Sequence, residues 1–285
     1  MPTMPLIHNR TGQLAAAHPT SVKLGRVGWF AKGVVYLLAG VLALVVAARS
    51  TGWTTATGAA NEASPTGAIK EVAHSSGGPL VLAVLAIGLF LYAAWRVVTA
   101  LLPGSTDAKG SAKRIGYIAS AIFYTTLGIT AISLSRSKAA PANGNQKVTD
   151  LTARIMDHAA GRWLIGLLGV ILLATALYRA GKGLRVDVTD EMDLGGMSAE
   201  RVRWTRRLGA IGEVGRGIAI GLIGFFLLRA SIKFNAAEAT GLDGALRRVL
   251  EYSWGALVVT VVGIGFVAYG VFCLVTFTHR RLQAP

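Results

Sequence analysis

Charge is what this chain has least of. Only 15% of its 285 residues are Asp, Glu, Lys or Arg, where a soluble domain carries about 25%. That leaves too little water-facing surface for a large soluble core. Acid is scarcer than base, 14 residues against 29, and the net charge is +15. A single cysteine, Cys273, excludes an internal disulfide and any all-cysteine metal site. No three His, Cys, Asp or Glu residues stand at metal-ligand spacing. The chain also lacks a Ser/His/Asp set, a phosphate-binding loop and a dinucleotide fingerprint. Gly209-x2-Gly212-x2-Gly215 falls inside an apolar run and reads as helix packing. No cofactor, no metal and no enzymatic activity are expected.

What the chain has is long apolar runs, 53% hydrophobic residues overall and a mean hydropathy of +0.52. A helix crosses a hydrocarbon core of ~30 Å with ~20 residues. Six segments reach that length, at about Gly28–Ala48, Pro79–Leu102, Gly116–Leu134, Trp163–Gly181, Gly209–Ala230 and Gly255–Phe277. Buried backbone must satisfy its own hydrogen bonds, and strand alternation is absent, so each run is predicted to be a helix. Pro79 stands at a helix start, and Pro103-Gly104 at a helix stop. Trp29, Trp53, Trp163, Trp204 and Trp254 fall near the interfaces, as an aromatic belt requires. Residues 1–23 lack the apolar core of a secretory signal and are expected to form a mobile cytoplasmic segment.

The basic residues cluster at the ends of the runs, which argues for orientation signals and lipid contact and against nucleic acid. Sixteen Lys and Arg lie on the side of the two termini and eleven on the other. The positive-inside rule then places both termini in the cytoplasm of a plasma membrane.

The runs repeat in pairs. Gly28, Lys32, Gly33, Tyr36 and Gly40 of the first run match Gly212, Arg216, Gly217, Ile220 and Gly224 of the fifth without a gap. Gly116, Ser120, Tyr124 and Gly128 give the third run the same spacing. Gly88, Tyr92 and Trp95 match Gly265, Tyr269 and Phe272, with Tyr178 as the aromatic of the fourth run. A short amphipathic stretch precedes each even run: Gly67 to Lys70, Leu151 to His158, and Gly244 to Arg247. These are expected to lie in the interface as short helices. Units of two spans all start on the same face, so the repeats are parallel about an axis along the membrane normal. The expected fold is all-α, with six transmembrane helices in three parallel two-helix repeats around a pseudo-threefold axis, odd helices inside. The boundaries are 24–104, 112–185 and 208–281, with a charged cytoplasmic loop at 186–207.

These features together resemble a bacterial family in which a two-span unit occurs three times, domain-of-unknown-function family twelve-oh-six. The residues that carry the resemblance are Leu24-Gly25-x2-Gly28-x3-Lys32-Gly33-Val34-Val35-Tyr36-x3-Gly40, its echo from Leu208 to Gly224, Gly161-Arg162-Trp163-Leu164, and Gly88-x3-Tyr92-x2-Trp95-Arg96. Ser120, in place of the basic residue, is the main departure. The resemblance implies a six-span membrane protein and no assigned activity.

Four groups of residues are candidates for function. Lys32, Glu213 and Arg216, with Ser120 at the equivalent position, would form a polar or anion site, although long side chains at this depth also snorkel to headgroups. Tyr36, Tyr124, Tyr92 and Tyr269 would line the axis or tie helices together. Arg201, Arg203, Trp204, Arg206 and Arg207 suit anionic lipid. Asp187, Asp190, Glu191 and Asp193 lack a calcium-loop spacing and read as solvated, and His74 and His158 as boundary residues. The expected partners are the bilayer, its anionic lipids and other membrane proteins. The function predicted first is a non-enzymatic structural or interaction protein of the bacterial envelope. A small-solute or ion transporter on the repeat axis is the alternative, and a lipid-acting enzyme ranks last.

Overall fold

The computed structural model describes residues 19–52, 64–73, 77–101, 108–136, 144–186, 188 and 196–278, with side chains from 26 onward except at 108, 109 and 144. Trp53, His74 and the acidic residues Asp187, Asp190, Glu191 and Asp193 lie outside the described residues, as do the first eighteen.

Among the described residues, nine α-helices and one 3-10 turn make up the fold, and there is no strand. In chain order the helices are α1 (Pro19–Ser50), α2 (Pro65–Ala73), α3 (Gly78–Leu101), α4 (Ala108–Arg136), α5 (Gly144–Met156), α6 (Gly161–Leu184), α7 (Ala199–Lys233), α8 (Leu242–Leu250) and α9 (Gly255–Thr276). Six of them, α1, α3, α4, α6, α7 and α9, are long and apolar enough to cross a bilayer. Leu80, Leu101, Ile115, Leu177 and Leu257 are among the many large apolar side chains left exposed. So much exposed apolar surface is stable only in lipid.

Local chemistry sets several helix ends. Gly52, at φ +75°, ends α1 in the left-handed region, which glycine enters without steric cost. Ser198 caps α7 by accepting from the Arg201 amide. That cap starts the helix ten residues before the fifth apolar run. Arg201, Arg203, Trp204, Arg206 and Arg207 therefore lie on an ordered helix and not in the expected loop at 186–207. At 1.5 Å per residue, the 35 residues of α7 reach about 52 Å, well beyond one hydrocarbon thickness.

The short helices α2, α5 and α8 each precede an even span, as the amphipathic pattern predicts, although α5 starts seven residues before the expected Leu151 and stops at Met156, leaving Asp157 and His158 in a turn. One glycine seats each of them on the span that follows. A Cβ on Gly78, Gly161 or Gly255 would collide with the carbonyl of Val72, Ile155 or Val249 respectively. Each carbonyl lies six residues earlier, so the three glycines fix a common register for the even spans. In that register Tyr92, Thr175 and Tyr269 are equivalent, as are Trp95, Tyr178 and Phe272. Arg96 and Arg179 also coincide.

Packing joins the six spans into one row: α6 on α7, α7 on α9, α9 on α1, α1 on α3 and α3 on α4. Hydrogen bonds tie neighbouring ends along it. Trp29 Nε1 donates to Thr276 Oγ1 (3.1 Å), Ser135 Oγ to the Pro79 carbonyl (2.9 Å), and Ser231 Oγ to the Arg162 carbonyl (2.9 Å). The helices approach closely through small residues, as they must where lipid offers no hydrophobic drive. Gly40 meets Gly263, and Gly33 meets Gly270.

Three equivalent hairpins with odd helices inside are not what the packing produces. Helices α9 and α3 are buried as deeply as α1, and α4 less than any of them. The hairpins α1/α3 and α7/α9 close, whereas α4 and α6, consecutive spans of the middle unit, hardly touch. The physical reason lies in three repeat positions. In the first unit a Cβ on Gly28 would strike the Tyr92 backbone, and one on Gly88 would strike Ala31. In the third, Gly212 meets Tyr269 and Gly215 meets Gly265 in the same way. The middle unit keeps the first glycine, as Gly116, but carries Ile171 where the others have Gly88 and Gly265. A branched side chain at that crossing holds the helices apart. Gly116 then has nothing within 4 Å of its would-be Cβ, and Ile171 is exposed.

Candidate functional site

Polar side chains inside the spans are expensive unless they satisfy one another. Here they form a continuous chain with one contributor or more from each of the six spans. It starts on α4, where Tyr124 meets Tyr92 of α3 edge to face, with centroids 4.7 Å apart. Tyr92 Oη accepts from Lys32 Nζ of α1 at 3.2 Å and from Arg96 Nε at 2.9 Å. Lys32 Nζ stands 4.5 Å from the Trp29 ring, 5.1 Å from both Tyr92 and Tyr269, and 5.5 Å from Tyr124. Tyr269 of α9 in turn faces Arg216 of α7, whose Cζ is 4.0 Å from the ring centre. Arg216 donates to Glu213 Oε1 (2.8 Å), and Arg179 of α6 donates to Glu213 Oε2 (2.7 Å). Tyr36 braces the middle, 5.0 Å from Tyr269 and 5.4 Å from the Arg216 Cζ.

Lys32 does not snorkel. It is 3% exposed, and its ammonium is enclosed by π faces, an arrangement worth ~2 kcal/mol or more when water is excluded. Four cations, Lys32, Arg96, Arg179 and Arg216, share this layer with one carboxylate, Glu213. The layer lies in the half of the spans nearer the N-terminal end of α1. Chemically it can hold helices in register and attract an anion.

Of the residues singled out from the sequence, Lys32, Glu213, Arg216 and the four tyrosines are brought together. Ser120 sits one turn from Tyr124 on α4, half-buried, and takes no part in the chain. Arg201, Arg203, Trp204, Arg206 and Arg207 are exposed, with Arg207 over the Trp204 ring at 5.5 Å. Sequence reasoning missed Trp29, Arg96 and Arg179 as members. The coincidence of Arg96 and Arg179, 83 residues apart in the register set by Gly78 and Gly161, was the available signal.

A second polar set lies at the opposite face. Glu238, in the 3-10 turn Ala236–Glu238, pairs with Arg229 (3.1 Å), Lys233 (3.0 Å) and Arg248 (3.4 Å). The hydrogen bond from Lys233, then the fields of Arg229, Lys233 and Arg248, hold its carboxyl below the ordinary range. Arg248 also donates to the carbonyls of Ala237 and Glu238. A shallow depression of about 220 Å³ opens beside this set, lined by Phe226, Arg229, Glu238, Arg248, Glu251 and Tyr252.

Fold and site together define a multi-pass helical membrane protein built from tandem two-helix units. Its family follows from the sequence match: residues 27–102, 115–185 and 211–276 match the Domain of Unknown Function family (DUF1206), and the chain belongs to that family. It is similar to the Uncharacterized protein YxxB of Bacillus subtilis (strain 168), with 28% identity over 267 residues that cover 93% of each chain. No solved structure matches the chain.

Proposed function

We propose that this is a non-enzymatic interaction protein of the bacterial plasma membrane, with both termini cytoplasmic, acting through anionic lipid and neighbouring membrane proteins. The observation that carries this reading is the side-chain chain from Tyr124 to Arg179. Its polar groups are spent on one another and on binding six helices into one body, and Lys32 is sealed among aromatic rings. A transport site needs ligands free to exchange with a solute, and this arrangement argues against one. The exposed arginines at the start of α7 supply a cationic band around Trp204 at headgroup level, worth ~1 kcal/mol per residue against anionic lipid.

The test is reconstitution of the full chain into liposomes, with flux of potassium, protons, chloride and phosphate measured against empty vesicles. Rates equal to those of empty vesicles are expected. A saturable flux that Lys32→Met abolishes would replace this reading with a transporter.

A further inference from the structure

The motif Gly161-Arg162-Trp163-Leu164 takes no part in the span layer. Gly161 seats α5 on α6, which accounts for the glycine alone. The Arg162 backbone is fixed, because its carbonyl accepts from Ser231 Oγ of α7 at 2.9 Å. Its side chain lies against two rings. The Cζ is 4.4 Å from the centre of the Trp163 ring and 3.9 Å from that of Phe234. Rings answer the charge of a guanidinium but leave its five N–H donors without an oxygen. Among the described residues no oxygen accepts from those donors and no carboxylate pairs with Arg162. Glu238, an acid of the same face, already holds Arg229, Lys233 and Arg248. In the register of the even spans, Arg162 coincides with Pro79 and Ala256, and Trp163 with Leu80 and Leu257. Trp163 is 68% exposed, Leu80 73% and Leu257 67%, so all three units turn that position to lipid. Exposure there is ordinary, and the cation beside it belongs to the middle unit alone. Phe234 is the second departure. It ends α7 at φ +53°, in the left-handed region that bulky residues avoid, whereas α1 ends on Gly52. A ring held there against the backbone's preference has the Arg162 guanidinium over its face.

We propose that Arg162, Trp163 and Phe234 form a binding site for the phosphate of a membrane phospholipid, in the leaflet opposite the chain termini. Arg162 is the second residue of its span, which sets it at headgroup depth beside a tryptophan of the interfacial belt. A guanidinium stacks on aromatic faces and matches phosphate with its planar fork at the same time. Ser231 holds the backbone and the rings hold the side chain, so little rotamer freedom remains to be lost on binding. A carboxylate from a partner protein would bring that partner over Trp163, a position that every unit leaves to lipid. The site does not depend on the arginines at the start of α7, which lie at the other end of that helix.

Native mass spectrometry of the full chain provides the test. Arg201, Arg203, Arg206 and Arg207 are all changed to Gln in the starting protein, so that lipid held at the other leaflet does not enter the count. Micelles are doped with dioleoylphosphatidylglycerol or with a glucosyl diacylglycerol of the same acyl chains, which has no phosphate. Preferential retention of the phospholipid is expected. Arg162→Gln should weaken it about tenfold, from the worth of one charge-assisted hydrogen bond, and leave the glucosyl lipid unchanged. Phe234→Gly separates binding from packing. It relieves the left-handed backbone, so the unfolding midpoint in thermal scans of tryptophan emission should hold or rise while phospholipid retention falls. Glycerol phosphate, offered without acyl chains, should not compete. Equal retention of the two lipids, or phospholipid retention unchanged by Arg162→Gln or by Phe234→Gly, would overturn the proposal. A lowered midpoint in Phe234→Gly would mark the rings as packing and overturn it as well. So would full competition by glycerol phosphate, which would assign the site to a free anion, or loss of a dimer in Arg162→Gln, which would assign it to a second copy.

Discussion

Removing the Glu213 charge should be the most damaging single isosteric change in the spans. Its side chain is 14% exposed, that of Arg216 is 11% and that of Arg179 is 29%. Glu213→Gln keeps the shape and leaves two guanidinium groups at short range with nothing to balance them. Breaking a buried pair by removing one partner costs 3–5 kcal/mol. Arg179 is partly wet and can turn toward headgroups, so roughly 3 kcal/mol is the reasoned value. That corresponds to roughly 150-fold in the unfolding equilibrium. The assay is equilibrium unfolding in mixed micelles, followed by far-ultraviolet ellipticity. Its decisive companion is the triple variant Arg179→Met, Glu213→Leu, Arg216→Met. Replacing a whole buried ion cluster with apolar residues of similar volume is often neutral, so the triple variant should recover most of the loss. A Glu213→Gln protein within about 0.5 kcal/mol of the parent, the spread of ordinary surface changes, would refute the claim that these charges depend on one another.

Other outcomes follow from the same structure. Gly28→Ala and Gly212→Ala should each destabilise by about 1–3 kcal/mol, because the added carbon meets the Tyr92 or Tyr269 backbone. Gly116→Ala should be neutral or stabilising by up to about 1 kcal/mol, since it gains helix propensity and meets nothing; three equal losses in chemical denaturation would remove the asymmetry between the units. Glu238 is held below the ordinary carboxylate range, so its contribution is present above the unfolded value of about 4.3 and fades as pH falls through the lower folded value. Amide protection in α8, measured relative to the intrinsic exchange rate at each pH, should therefore fall on acidification, and Glu238→Gln should show the lower protection at neutral pH as well. Changing Arg201, Arg203, Arg206 and Arg207 together to Gln should lower enrichment of phosphatidylglycerol around the protein in nanodiscs and leave unfolding midpoints unchanged. An impermeant amine reagent applied to right-side-out vesicles should reach Lys70 and not Lys113.

Six spans and their threefold repeat were legible because solvation leaves an apolar run of twenty residues few alternatives, and because Gly28, Gly116 and Gly212 each stand twelve residues before a second repeated glycine, Gly40, Gly128 or Gly224. The cluster was half legible. Lys32, Arg216 and the tyrosines share repeat positions, so the eye finds them. Arg96 and Arg179 hide at the ends of runs, where basic residues usually serve orientation. The opening of the middle unit was not legible, because it turns on Ile171, one ordinary apolar residue among many. Only the register set by Gly78, Gly161 and Gly255 shows that glycine was needed there. The helical start of α7 was missed for a similar reason: the density of charge between the fourth and fifth runs suggested a cytoplasmic loop at 186–207, while Ser198 and Glu200 begin a helix whose dipole favours the acid.

The seam between α1 and α9 joins residues as far apart as Trp29 and Thr276. A ribosome releases Trp29 long before Thr276. The first hairpin must wait in the bilayer with Gly33 and Gly40 uncovered until the last span arrives. Truncation anywhere before residue 255 thus strands the oldest part of the molecule without its neighbour, and quality-control proteases that survey the membrane would meet that bare face first.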